Sequence, residues 1–130
     1  MGVSVLLDTH ALLWALLEPH RLTAKGRKLL ADPATVVLVS PASAWEIATK
    51  TRFGKLDDAR AVVAHYVEHL GAMDATEVPI TSDHALLAGS FDVDHRDPFD
   101  RMIAAQATLL AVPVLTKDPA FALFPCRRVW

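Results

Sequence analysis

Apolar residues along this chain come in short blocks that alternate with stretches of helical spacing. Val3 to Leu7 is a valine and leucine run interrupted only by Ser4 and closed by Asp8, the pattern of a buried strand. Thr9 to Leu17 places Leu12, Leu13, Leu16 and Leu17 on one helical face. Thr23 is positioned to cap a short helix through Leu30, which Asp32-Pro33 ends. Val36 to Val39 predicts a second buried strand. Ser40-Pro41 then supplies a cap and a proline at the first helical position, and this helix is expected to run to about Arg52, ending near Gly54. Another helix is expected from Asp57 or Asp58 to Gly71. Thr76 to Ile80 predicts a shorter strand, and Thr81 caps a helix carrying Leu86 and Leu87. Ser90 to Arg96 is polar and loop-like. Asp97-Pro98 repeats the cap-plus-proline start of a helix reaching about Leu110. Val112 to Leu115 predicts a fourth strand, and Arg127 to Trp130 a short edge strand.

Two-sided apolar strands joined by helical crossovers imply a parallel sheet covered on both faces. The 130 residues contain no repeat, linker or low-complexity segment, so residues 1–130 read as one domain. In open sheets of this kind, ligands sit at the carboxyl ends of the strands. Asp8 lies just past the first strand and Asp118 just past the fourth, so these acids are expected to share one rim.

Other acids point to the same rim. Glu46 sits one turn into the helix after the second strand, among small and apolar neighbours. Asp97 and Asp100 flank the start of the later helix, where residues three apart share a face. Each acid also has a plain structural reading. Asp97 suits an N-cap, Asp100 suits the positive end of a helix dipole, and Glu46 can pair with Lys50 one turn on. Gathered together, however, such carboxylates repel and either raise one another's pKa or recruit a divalent ion. An all-oxygen set favours Mg or Mn, which suits phosphodiester hydrolysis.

Composition sharpens this reading. The formal charge is -2, which taken alone argues against a nucleic-acid partner. Setting aside Asp8, Glu46, Asp97, Asp100 and Asp118 leaves ten acids against thirteen bases. Two basic groups stand out: Arg21, Lys25, Arg27 and Lys28, a candidate RNA rim, and Lys50, Arg52 and Lys55. Mean hydropathy is +0.28, yet no apolar run approaches the ~18 residues needed to span a bilayer. The N-terminus reads as a strand and not as a signal peptide. The lone Cys126 allows no internal disulfide and suits a reducing cytoplasm. His65 and His69 have the spacing of a two-histidine pair on one helix but lack an evident third ligand, so a surface or dimer contact is expected. Trp14, Trp45 and Phe99 flank the acid segments and are expected in the core rather than as base-stacking platforms.

Four segments resemble one known family. Val5 to Trp14 (VLLDTHALLW) resembles the opening of PIN-domain proteins, in particular the VapC-type toxins. Ser43 to Lys50 (SAWEIATK), Arg96 to Ala107 (RDPFDRMIAAQA) and Leu115 to Asp118 (LTKD) resemble their later motifs, in order. The resemblance implies a PIN-like three-layer α/β/α fold with a central parallel sheet of four to five strands. It also implies Mg- or Mn-dependent endoribonuclease activity, a homodimer, and neutralisation by a small VapB-like antitoxin. Matching by motif makes Asp8, Glu46, Asp100 and Asp118 the catalytic metal-site acids, with Asp97 able to share the metal. Thr116 could orient the site through its hydroxyl, and Thr9 could do the same or cap its helix. His10 and His95 lie close in sequence to site acids and could touch substrate or serve a packing or surface role.

Three alternatives compete. An aspartate-nucleophile phosphatase would need a second acid two residues after Asp8, where this chain has His10. A phosphoacceptor signalling domain would have a lysine such as Lys117 but needs paired acids at the first strand and an acceptor aspartate at the third. A catalytically inactive PIN-like interaction domain would not need the complete acid set.

Overall fold

The computed structural model describes residues 2–56 and 59–130. Five strands form one sheet: β1 (Ser4–Leu7), β2 (Val36–Val39), β3 (Ala75–Glu77), β4 (Val114–Leu115) and β5 (Arg128–Val129). Their spatial order is β3-β2-β1-β4-β5 and every pairing is parallel. Seven helices connect them among the described residues: α1 (Thr9–Leu17), α2 (Ala24–Ala31), α3 (Pro41–Arg52), α4 (Arg60–Ala64), α5 (Tyr66–Ala72), α6 (Ser82–Ser90) and α7 (Pro98–Leu110). Two 3-10 turns, Pro19–Arg21 and Pro119–Leu123, are also present among the described residues.

Strand alternation divides the core into two layers. Val5 and Leu7 of β1 join Val37, Val39, Leu12, Ile47 and Leu115 on one face of the sheet. Leu6 between them joins Ile103, Ala104, Ala107, Val114, Phe121 and Phe124 on the other. β1 is central and its last three residues are fully buried, which is why no polar residue interrupts Val5-Leu6-Leu7. The small side chains of α7 let its backbone lie close to the sheet. The fold is therefore the three-layer α/β/α arrangement with a five-stranded parallel sheet.

The caps at Thr23, Ser40, Thr81 and Asp97 all form as the sequence predicts. Three expected boundaries shift, each for a local reason. β4 starts at Val114, because the Val112 N–H turns back to the Ala107 carbonyl to close α7, and Pro113 has no N–H for a ladder. Ala111 makes that closure with a left-handed φ of 56°. Past the end of β3, the Val78 N–H still reaches the Val39 carbonyl at 2.8 Å, and Pro79 then stops the pairing. The expected helix ending at Gly71 is two helices, with His65 between them at φ -128°, ψ 37°. His65 and His69 thus do not share one continuous helix. The expected start at Asp57 or Asp58 lies outside the described residues.

Candidate active site

Register brings the first two acids together. Leu7 pairs with Leu115, and the Asp8 N–H reaches the Leu115 carbonyl at 3.1 Å. The residues just past both strands, Asp8 and Thr116, therefore meet although 108 positions separate them. Asp8 is only 4% exposed. One carboxylate oxygen accepts from the Ala11 N–H at 2.7 Å, capping α1, and the other accepts from the Thr116 hydroxyl at 2.6 Å. The same hydroxyl accepts from the Asp118 N–H at 3.0 Å. Thr116 thus ties the two strand-end acids into one unit. Asp118 is exposed and caps the following 3-10 turn through the Ala120 N–H at 2.9 Å. Asp8, Asp118, His10, Trp14, Lys117 and Pro119 line a cleft of about 360 Å³.

Helices deliver the other acids. Ser40 caps α3, and a 3.0 Å contact between the buried Thr9 and Ser43 hydroxyls fixes the start of α3 against that of α1. Thr9 is therefore not a cap; Asp8 takes that role, which frees the Thr9 hydroxyl for Ser43. Glu46 projects from the next turn of α3 and is 3% exposed. One of its carboxylate oxygens pairs with Lys50, as the i, i+4 spacing allows. The other, Oε1, is buried without a hydrogen-bond partner. On α7, Asp97 caps the helix by accepting from the Phe99 and Asp100 N–H groups at 2.8 and 3.2 Å. Asp100 instead faces His95, whose Nε2 lies 2.8 Å from its carboxylate.

The electrostatics couple these acids. Burial raises the Asp8 pKa, against the opposing effects of the Thr116 and Ala11 hydrogen bonds. Burial also raises Asp100 to about 6, despite the His95 contact, and the charge of Asp97 adds to the rise. Glu46 pushes both Asp8 and Asp100 upward, so it joins the strand-borne and helix-borne acids in one field. Each acid has its own local partner, and among the described residues no three Asp, Glu, His or Cys side chains form a ready-made metal cluster.

Several residues around the acids were not singled out by sequence. Ser43 stands inside a quoted motif, but its role appears only when α1 and α3 are packed. Arg101 donates to the backbone carbonyls of Ala88, Phe91 and His95, which binds the loop before α7 into a fixed shape. That shape carries His95 to Asp100. The one signal was an arginine beside a site acid, ordinary on any helix surface.

Other expectations change. Trp45 is 64% exposed and not in the core; it meets Phe99 edge-on at 4.8 Å between ring centroids. Trp14 is half-buried and packs against Trp130, with the Arg21 guanidinium and the Lys117 ammonium over its ring. Of the four proposed rim bases, Arg21 reaches the site's edge through Trp14. Arg27 folds back onto the Leu22 carbonyl, while Lys25 and Lys28 are exposed on α2.

The PIN domain family matches residues 5–125, and the chain belongs to that family. The crystal structure of VapBC2 from Rickettsia felis bound to a DNA fragment from their promoter contains a similar chain. It has a TM-score of 0.68 at 13% identity over 98% of both chains. That likeness is one of fold. No curated protein matches the sequence.

Proposed function

We propose that this chain, read as one PIN domain from 1 to 130, is a Mg- or Mn-dependent endoribonuclease and the toxin of a VapBC-type toxin–antitoxin pair. One observation carries the reading. Asp8 and Asp118 line one cleft past the strand ends, the charge of Glu46 acts on both Asp8 and Asp100, and the buried Glu46 Oε1 lacks a hydrogen-bond partner. An uncompensated buried carboxylate oxygen is costly unless a cation meets it. The donor set fits a hard divalent ion, and Asp8, Glu46, Asp100 and Asp118 would hold it, with Asp97 within reach. When bound, such an ion supplies Lewis-acid stabilisation of phosphate charge and a more acidic water.

The chain's own residues supply the rest. Thr116 and the Ala11 N–H hold the Asp8 carboxylate in one orientation, and the Thr116 hydroxyl sets the backbone from which Asp118 projects. Lys50 is placed to neutralise Glu46 and keep the acid edge from repelling an incoming phosphodiester. An unrestrained ribonuclease would harm the cell that makes it, which gives a small VapB-like inhibitor its purpose. The Rickettsia felis protein of similar fold is part of a VapBC assembly. Among the described residues no helix is long and apolar enough to cross a membrane. An apolar hollow lined by Trp45, Ile80, Phe99 and Met102 fits the homodimer reading.

Expression of the chain alone is expected to slow bacterial growth. Asp8→Asn at equal protein level should abolish the effect, and a small protein encoded next to the gene should relieve it. Purified protein should cleave RNA with Mg or Mn and stop on chelation. Arrest that persists in Asp8→Asn would overturn the reading.

A further inference from the structure

The cleft holding Asp8 and Asp118 has a second half that the acid chemistry does not use. Its wall is Trp14, half-buried on α1 and backed by Trp130, with ring centroids 5.7 Å apart. The Lys117 ammonium lies 5.7 Å from the Trp14 centroid, and the Arg21 guanidinium carbon lies 5.4 Å from it. His10 stands 5.9 Å away and lines the same cleft. Lys117 is exposed and, among the described residues, has no carboxylate within ion-pair distance. Packing alone would be served by leucine at position 14. A rigid indole flanked by two cations instead presents an aromatic surface beside positive charge, which matches a nucleobase followed by its phosphate.

Resting on the ribonuclease reading above, we infer that Trp14, with Lys117 and Arg21, forms a seat for one unpaired RNA nucleotide next to the scissile bond. Lys117 and Arg21, now over the ring and Arg21 also paired with Glu18, would move off its face so that the ring carries the base and the cations hold the adjoining phosphate. The acids of the cleft repel phosphate unless they are neutralised, so nearby cations at Trp14 favour a strand crossing the rim on this side. An unpaired nucleotide can bring its π-face to the ring, whereas a base within a duplex is already stacked.

The test is binding of a labelled single-stranded RNA pentanucleotide, by fluorescence anisotropy without added divalent ion, so that no cleavage is needed. Trp14→Leu should weaken binding about fivefold or more, and Trp14→Phe should retain most of it. Lys117→Gln, a surface change, should reduce the slope of log K against log salt by about 0.7. A scan placing one abasic site at each position in turn should find one position whose loss matters most. If Trp14→Leu does not fold, the abasic scan and Lys117→Gln decide. Parent-like binding by a folded Trp14→Leu, a flat abasic scan or an unchanged salt slope would overturn the seat while leaving the ribonuclease reading intact. Failure of the parent protein to bind any single-stranded RNA would also overturn the seat, whereas the ribonuclease reading falls only if no RNA is cleaved with Mg or Mn.

Discussion

The acidic rim is built in two ways. Asp8 and Asp118 follow paired strands and are tied to each other by one buried hydroxyl, that of Thr116. Glu46 and Asp100 ride on helices and are each met by one side chain, Lys50 or His95. The strand half is fixed by register, because moving Asp8 relative to Thr116 means breaking the β1–β4 ladder. The helix half is held by long or rotatable partners that can turn away. The first half is therefore preorganised, whereas the second would have to give up its present partners to hold the proposed cation.

The largest effect is expected at the fixed half. Asp8→Asn should lower RNA cleavage by roughly a hundredfold or more, the scale seen when one preorganised electrostatic group is lost. The variant should stay folded. Burial disfavours the Asp8 charge, and the amide oxygen can still accept from the Ala11 N–H while its NH2 donates to the Thr116 hydroxyl oxygen. Cleavage assays and thermal melts on the same preparation separate the two. Equal cleavage by the variant would remove Asp8 from the chemistry.

Next comes the tie itself. Thr116→Val keeps the shape but leaves an Asp8 oxygen and the Asp118 N–H unmatched. Activity should fall about tenfold to a hundredfold, the usual cost of removing a group that orients a metal ligand. Stability should fall by about 1–3 kcal/mol. The deficit should be largest at neutral pH and smaller in acid, where a protonated Asp8 no longer draws on the hydroxyl for charge stabilisation. Thr116→Ser should restore most of both. A valine variant with parental activity would mean that register alone positions Asp8.

The two halves were not equally legible in the sequence. Asp8 and Asp118 follow short apolar blocks, and the rule placing ligands at strand ends located them without any contact being known. The caps at Ser40, Thr81 and Asp97 were equally readable, because capping depends on adjacent residues. The Thr9–Ser43 contact, the Arg101 clamp and the unpaired Glu46 Oε1 depend on how α1, α3, α6 and α7 pack. Nothing within a few residues of any of them carries that information. Trp45 was misassigned for a related reason. Its motif neighbours Ser43, Glu46 and Ile47 are buried, but a helix turns about 100° per residue and places Trp45 on the outer side. Pro79 and Pro113 shortened two strands whose apolar runs read straight through them.

The helix half should respond to pH in the metal-free protein. Asp100 has a folded pKa near 6 against an ordinary value of 3.8. Between those values the folded chain holds a proton that the unfolded chain has released. Stability should therefore fall as pH rises from about 4 to 6 and then level off. The full shift corresponds to about 3 kcal/mol, and loss of the His95 contact in Asp100→Asn offsets about 1 kcal/mol of it. Asp100→Asn should thus be more stable than the parent at pH 7 by about 1–2 kcal/mol and show a flatter pH profile. Chemical denaturation at several pH values measures this. A variant that is less stable at every pH would make Asp100 a structural residue.

The smallest effect separates the four bases of the proposed RNA rim. Arg21 lies over Trp14 and so adjoins the strand-borne half, whereas the Arg27 guanidinium is committed to the Leu22 carbonyl. Lys25 and Lys28 are exposed on α2 and, among the described residues, form no ion pair with a site residue. If RNA crosses the rim beside Asp8 and Asp118, the four bases cannot contribute equally. Arg21→Gln should weaken single-stranded RNA binding a few-fold and reduce the salt slope by about 0.7, one phosphate contact. The Lys25→Gln, Lys28→Gln double variant should leave the slope unchanged, because exposed charges farther than about 8–10 Å from a phosphate are screened at physiological salt. Binding titrations from low to moderate salt, with all three proteins on one oligonucleotide, make the comparison. A slope lost with the two lysines and kept with Arg21→Gln would move the RNA path off the Trp14 side and onto the outer face of α2.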